Sequence, residues 1–307
     1  MAKKGDFQAQ VLYNRKIGAG FYKLGLSFTG RSAQAFARFE AGQFVQVDLS
    51  AVALPPTEQI PERFKDAAKR EILLRRPFSF SDVEVREDET AAEILYCALG
   101  PASLRMTTLR AGDSVSVIGP LGNGFRLAAN KKLAILVVGG MGAGPLIHLS
   151  KVLKEKDART EVVAFCGAKS SSHLPFEEMA PEIDEGPGNW LQEFARSGAQ
   201  CYVATDDGSA GYKGFVTECL KKWMEGAKIN AKEAVIYSCG PDVMLAAVAR
   251  LAERWGVDCQ LSTERRMACG IGLCQSCAVE CKAAAGGTIY KLCCKDGPVF
   301  DSKELVF

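Results

Sequence analysis

Cys269, Cys274 and Cys277 stand in the spacing C-x4-C-x2-C, and a second pair, Cys293 and Cys294, follows downstream. Three thiolates on one loop and a fourth from a distant segment form the ligand pattern of a plant-type [2Fe–2S] cluster. Gly270 and Gly272 fall inside the loop. Glycine lets backbone N–H groups turn inward toward an anionic cluster whose sulfides need donors. Zinc would more naturally take two C-x2-C pairs, and only Cys274 and Cys277 form one. A disulfide framework would need an oxidising compartment, of which the chain carries no sign. Adjacent residues of an extended chain point to opposite sides, so only one of Cys293 and Cys294 can face the same centre.

Other segments suit bound cofactors. In Arg75-Arg76-Pro77-Phe78-Ser79 an arginine can clamp a phosphate and the serine can hydrogen-bond a flavin ring; a plain basic pair at a strand edge would look the same. Gly139-Gly140-Met141-Gly142-Ala143-Gly144-Pro145 lies between an apolar strand and a helix, where backbone N–H groups and the helix N-terminus attract a pyrophosphate. Its spacing departs from G-x-G-x-x-G, and a tight connection without a ligand is the alternative. Cys239-Gly240-Pro241 ends another strand on the edge where open α/β sheets bind ligands. Thr205-Asp206-Asp207-Gly208-Ser209 could reach a nucleotide ribose or simply form a turn. Gly119-Pro120-Leu121-Gly122-Asn123-Gly124-Phe125 reads as a turn at a domain boundary. The two histidines, His148 and His173, are not spaced as a metal pair. No Ser/His/Asp or paired-carboxylate arrangement is present, so no catalytic side chain is expected and cofactors must supply the chemistry.

The elements that position these residues fall into two patterns. Residues 7–125 read as short strands at 9–13, 22–28, 43–49, 94–99 and 114–118, with alternation visible in Phe44-Val45-Gln46-Val47-Asp48-Leu49. Such strands with Gly and Pro turns predict an antiparallel barrel or sandwich. Residues 51–74 contain Pro55, Pro56 and Pro61 and then a charged helical stretch at 62–73; they read as a solvated insertion. From residue 131 strand and helix alternate, which predicts a parallel, doubly wound sheet. Strands are expected at 133–138, 161–166, 200–204 and, as the last, 234–238. Helices are expected at 146–153, 190–197, 215–224 and 244–255, with a helix-like piece at 176–179. The expected fold class is therefore α/β plus all-β.

Composition excludes several function classes. A hydrophobic share of 48% with 24% charged residues belongs to a soluble globular protein. Net charge of +2 leaves no electrostatic footprint for nucleic acid. The apolar run that begins at 133 is too short to span a bilayer. The N-terminus lacks the apolar core of a signal peptide, and twelve cysteines then point to a reducing cytoplasm.

Taken in order, R-P-F-S, G-P-L-G-N-G-F, G-G-x-G-x-G-P, T-D-D-G-S, C-G-P and C-x4-C-x2-C with C-K-D-G-P-V-F resemble the electron-transfer subunits of NAD-dependent dihydroorotate dehydrogenases, within the ferredoxin–NADP reductase superfamily. The resemblance runs from about residue 8 to 300. It implies an FAD-binding β-barrel at 1–127 with the insertion 51–74, an NAD-binding α/β domain at 128–260, and a small [2Fe–2S] loop domain at 261–307. It implies that Arg76 contacts the FAD pyrophosphate and that Pro77, Phe78 and Ser79 line the flavin. Gly100 and Ser103 match a turn that binds FAD phosphates, although Pro101 and Ala102 depart from its pattern. Gly140, Gly142, Cys239, Gly240 and Pro241 would border the nicotinamide cofactor. Cys269, Cys274 and Cys277 would ligate iron, and the fourth ligand would be the cysteine directly before K-D-G-P-V-F, Cys294. The implied role is an electron relay in pyrimidine biosynthesis. Electrons would come from an FMN-containing catalytic subunit, in a heterotetramer, through [2Fe–2S] and FAD to NAD⁺. Rival roles are a flavin/[2Fe–2S] subunit of an NADH-dependent ferredoxin–NADP oxidoreductase or a sulfide- or sulfite-reducing complex, or a non-catalytic iron–sulfur redox sensor. Such related subunits often replace the first cysteine of the loop by aspartate, and Cys269 is intact.

Overall fold

The alternation that marks the N-terminal strands produces a single rolled sheet in the computed structural model, which describes residues 4–227 and 229–307. Its elements are β1 (Gly5–Lys16), β2 (Phe21–Thr29), α1 (Gly30–Phe36), β3 (Phe44–Val47), α2 (Lys65–Ala68), β4 (Arg76–Ser79), β5 (Asp82–Val85), β6 (Glu89–Cys97), α3 (Pro101–Met106) and β7 (Ser114–Leu121). The strands pair antiparallel in the order β4-β3-β7-β1-β2-β6-β5. The Ser81 backbone N–H donates to the Glu93 carbonyl at 2.7 Å, tying the β4–β5 corner back to β6. Inward residues such as Leu24, Leu26, Val45, Val47 and Val117 fill the interior around stacked Phe28 and Phe36 rings, 4.0 Å apart. Beyond the expected strands, β4 and β5 and the short helices α1 and α3 complete the layer.

The insertion differs from expectation. The helical stretch expected at 62–73 is only a 3-10 turn at Glu62–Phe64 followed by α2. Pro61 fixes the entry, and the segment offers a small apolar cluster, Ile60 and Ala68 against Leu104 of α3, too little to hold a longer helix. It is nevertheless docked rather than free in solvent. Arg105 donates to the Val52 carbonyl at 2.8 Å and Thr108 to the Ala53 carbonyl at 3.0 Å.

From residue 133 the elements are β8 (Leu133–Gly139), α4 (Ala143–Lys156), β9 (Glu161–Ala168), α5 (Gln192–Ala195), β10 (Gln200–Thr205), β11 (Tyr212–Lys213), α6 (Val216–Gly226), β12 (Ala234–Cys239), α7 (Asp242–Trp255) and β13 (Asp258–Ser262). These strands are parallel, in the order β11-β10-β9-β8-β12-β13. Both faces are covered. Ile135 and Val137 of β8 point to α6 and α7, while Ala134, Leu136 and Val138 point to α4 and α5. The strand at 234–238 is not the last, because β13 extends the sheet and a C-terminal strand closes its edge. The helix-like piece expected at 176–179 does not form. There the Glu177 N–H donates to the Glu193 carboxylate at 2.9 Å and Met179 bridges Leu191, so the polar groups are spent on tertiary contacts. A short 3-10 turn at Ser171–His173 precedes it.

The C-terminal segment forms a hairpin, β14 (Ala278–Lys282) with β15 (Thr288–Leu292), and then β16 (Val299–Asp301), which pairs antiparallel with β13. No helix among the described residues is long and apolar enough to cross a membrane.

Candidate functional site

The cysteine loop runs from β13 to β14 with little regular structure of its own. Gly270 has φ +69° and Gly272 φ +90°, the left-handed region that lets the loop coil without a Cβ penalty. Its sulfurs gather in two pairs. The Cys274 N–H donates to Cys269 Sγ at 3.4 Å, which holds these two residues together at the rim of the loop. Across the loop, Cys277 Sγ lies 3.3 Å from Cys294 Sγ. No three His, Cys, Asp or Glu side chains among the described residues converge as ligands of one ion would. Two pairs are what a binuclear cluster requires, since each of its irons takes two protein thiolates and shares two sulfides.

Cys293 points elsewhere. Its Sγ lies 3.5 Å from the Thr263 hydroxyl and donates to the Thr263 carbonyl at 3.5 Å, on the side of β13. Cys281 is buried on β14, where its pair partner is Ile289. The Ser276 hydroxyl and backbone pull the exposed Cys274 thiol down to about 6, whereas burial pushes Cys294 up to about 12. The loop thus presents a ready thiolate at its rim and a protonated thiol within, and ligation must deprotonate the latter.

Two segments clamp the loop from the barrel side. The turn after β7 reaches the segment that follows Cys294: the Asn123 N–H donates to the Gly297 carbonyl at 2.7 Å and Asn123 Nδ2 to the Asp296 carbonyl at 2.9 Å. A Cβ on Gly122 would lie 2.6 Å from Pro298, so only glycine permits this approach. A turn that the sequence predicts as a domain boundary thus also grips the cysteine segment, a role set by spatial approach and not by local pattern. The second clamp is β3. Phe44 shares a core with Cys277, Cys293 and Cys294, and Gln46 lies against Gly270.

On β4, the strand beside β3, Arg76, Pro77, Phe78 and Ser79 are all half-buried along an open sheet edge. Arg76 Nη1 donates to the Leu74 carbonyl at 2.6 Å, and Phe78 leans on the barrel core. Ser103 Oγ accepts the N–H groups of Leu99 at 3.0 Å and Gly100 at 3.1 Å, closing the turn before α3.

The C-terminal ends of β8 and β12 bring the two glycine turns together backbone to backbone. A Cβ on Gly142 would overlap the Cys239 carbonyl, and one on Gly240 would fall 2.9 Å from Gly139 Cα. Gly140, at φ +50°, faces open space, and Gly144 lies next to Ser81 and Leu95 of the barrel. The result is a close approach of two backbone turns at the C-terminal strand ends, beside the barrel, on the edge where open α/β sheets bind dinucleotides. Cys239 is half-buried there, and desolvation raises its thiol to about 12, so it is neutral. Asp207 is a turn former, its carboxylate accepting the Ser209 N–H at 2.9 Å and hydroxyl at 2.6 Å. His148 is buried against Phe39, and His173 pairs with Ser170 at the surface.

Comparisons with known proteins agree with this layout. Residues 264–306 match the iron–sulfur cluster binding domain of dihydroorotate dehydrogenase B, and residues 136–250 match an oxidoreductase NAD-binding domain. The chain is 35% identical over 305 residues to the dihydroorotate dehydrogenase B (NAD(+)) electron transfer subunit of Bacillus caldolyticus, covering 98% of this chain and 99% of that one. It is 30% identical over 300 residues to that of Caldanaerobacter subterraneus subsp. tengcongensis, covering 98% of each. Among solved structures, the NADH-dependent reduced ferredoxin–NADP oxidoreductase superposes with a TM-score of 0.72 at 23% identity, covering 97% of this chain and 89% of that one. A ferredoxin NADP⁺ reductase from Neisseria gonorrhoeae gives 0.57 at 16% identity, covering 82% of this chain and 92% of that one. Both share the ferredoxin reductase-like fold. The cysteine loop, the glycine turns and near-full-length identity lead to one conclusion: the chain belongs to the family of dihydroorotate dehydrogenase B (NAD⁺) electron transfer subunits, oxidoreductase components that serve a catalytic partner subunit.

Proposed function

We propose that this chain takes electrons from an FMN-containing subunit that oxidises dihydroorotate and delivers them through [2Fe–2S] and FAD to NAD⁺. When bound, the cluster supplies a one-electron site and FAD supplies the exchange between single electrons and the hydride that NAD⁺ accepts. The observation that carries this reading is the packing of the cysteine loop directly on β3, next to the R-P-F-S strand: Gly270 touches Gln46, and Gln46 pairs with Pro77.

The residues fit these groups as follows. Cys269, Cys274, Cys277 and Cys294 would be the ligand set, a reading supported by the contacts that join them two by two. The FAD pyrophosphate falls to Arg76, whose guanidinium now rests on backbone carbonyls and is free to exchange them for phosphate oxygens. Pro77, Phe78 and Ser79 would border the flavin from the open edge of β4, and Gly100 with Ser103 would receive FAD phosphates at the turn before α3. Gly140, Gly142, Cys239, Gly240 and Pro241 would border the nicotinamide, where backbone replaces side chains and the pocket stays neutral. The division into 1–127, 128–260 and 261–307 follows these three tasks. Ile271 and Leu273 are exposed on the cysteine loop and would seat the catalytic subunit, keeping water from the transfer path in a heterotetramer. A reducing cytoplasm would keep the twelve cysteines available as thiols and as cluster ligands.

Anaerobic titration of the purified chain with NADH is the direct test. The flavin absorption should bleach and a reduced-cluster EPR signal should grow. A chain that does neither, or that co-purifies with no FMN-bearing subunit able to turn over dihydroorotate, defeats the relay.

A further inference from the structure

We propose that Gln46 is a tuning residue of the cluster: its side-chain amide donates a hydrogen bond to the sulfurs beside Gly270 and raises the reduction potential of the site. The inference rests on the cysteine loop holding a [2Fe–2S] cluster, as set out above.

Strand parity sends Gln46 there. On β3, Val45 and Val47 point into the barrel, so Phe44 and Gln46 point out of it, and Phe44 already packs with Cys277, Cys293 and Cys294. Gln46 is fully buried, and neither its Nε2 nor its Oε1 has a hydrogen-bond partner among the described residues. Buried polar side-chain atoms are almost always paired, and an amide orphaned at both ends calls for a partner that these residues do not supply. Its surroundings say what kind. Gly270 follows Cys269 directly, and its Cα lies so close that a Cβ there would fall 2.7 Å from Gln46 Cγ and 2.8 Å from Cδ, and nearer still to Nε2. Gln46 also stands opposite Pro77 in the β3–β4 register, on the strand that would border the flavin. An anionic cluster offers acceptors only, so the amide meets it through N–H. An N–H···S bond favours the more negative, reduced state, and its loss lowers the potential.

The test is a potentiometric EPR titration of the full chain with its iron content measured, comparing wild type, Gln46→Leu and Gln46→Glu. Gln46→Leu should keep its iron and flavin while the cluster midpoint moves to more negative potential and the flavin midpoint stays in place. Gln46→Glu, which keeps the shape but replaces the donor by a negative acceptor, should move it further in the same direction. An unchanged cluster potential in Gln46→Leu overturns the proposal. If Gln46→Leu loses its iron, Gln46→Glu decides: a wild-type potential, or loss of iron there too, makes Gln46 a packing residue and also overturns it. A wild-type chain that never holds iron sinks the relay itself, which is a separate outcome.

Discussion

Adjacent cysteines in one short segment have opposite fates, and that difference is decided by one peptide of chain direction. Cys294 turns toward Cys277, and Cys293 turns to Thr263 on β13. Replacement of Cys294 by alanine should remove one of four ligands. Iron content and visible absorption should fall to a small fraction of wild type, with the EPR signal of the reduced cluster lost. Cys293→Ala removes a buried side chain and its weak S–H bond to Thr263 but no iron ligand, so about two irons per chain should remain and stability should drop by about 1 kcal/mol. Iron analysis and chemical denaturation of the two variants check both statements. The C-x4-C-x2-C spacing was legible because loop ligands must be close in sequence. Gln46 and Asn123 were not, because their roles come from strand parity and a close backbone approach across more than a hundred residues. The one sign of Gln46 in the sequence was a polar residue in the midst of an apolar strand, and only burial without a partner makes it conspicuous.

At the scale of elements, α4 does two jobs. Its start carries the glycine turn, and its exposed-to-barrel side joins the two large domains through Lys151, which donates to Asp82 at 2.7 Å and to the Val83 carbonyl at 3.2 Å. One turn earlier, His148 is sealed against Phe39 with neither ring nitrogen hydrogen-bonded; the Phe39 backbone is near enough only to favour the proton slightly. Burial holds this imidazole down at about 4, below the usual 6.5, with Asp82 raising it and Lys151 lowering it to lesser degrees. Between those two pH values the unfolded chain holds a proton that the folded chain refuses. Stability from this group is therefore complete above 6.5 and is lost as the pH falls toward 4, by about 3 kcal/mol in all. His148→Leu should flatten that part of the stability–pH curve, as measured by urea denaturation at pH 7 and pH 5. Helix and strand periodicity made α4, α6, α7 and the parallel strands β8, β9, β10 and β12 readable. The insertion and the 176–179 segment depart from their helical pattern because the first docks on the α3 region through apolar residues and backbone carbonyls and the second spends its backbone N–H on Glu193 of α5.

For the molecule as a whole, the relay asks that the barrel and the α/β domain keep one relative placement, and a buried cluster of charge spans their boundary. Lys23 of β2 is almost wholly buried, with Nζ 3.0 Å from Glu193, 3.4 Å from Glu177 and 3.7 Å from Glu93; Arg15 of β1 adds a contact to Glu177 at 3.0 Å. Burial works against the ammonium charge, but Glu93 and Glu193 more than reverse this, and Lys23 holds its proton above the ordinary lysine range. Three carboxylates face two cations, so removal of Lys23 leaves an excess of buried negative charge that Arg15 cannot balance. Desolvation makes such a broken pair costly although the intact pair adds little, and Lys23→Met should destabilise the chain by about 3 kcal/mol. The cost is that of the uncompensated carboxylate, so neutralising it should return part of the loss. Glu193→Gln keeps an acceptor for the Glu177 N–H, and in the double variant Lys23→Met/Glu193→Gln about 1 kcal/mol or more should be regained relative to the sum of the single changes. Urea denaturation of the four proteins closes the cycle. Simple additivity would mean that the two domains are held by their apolar contacts alone and that the charges merely accompany them.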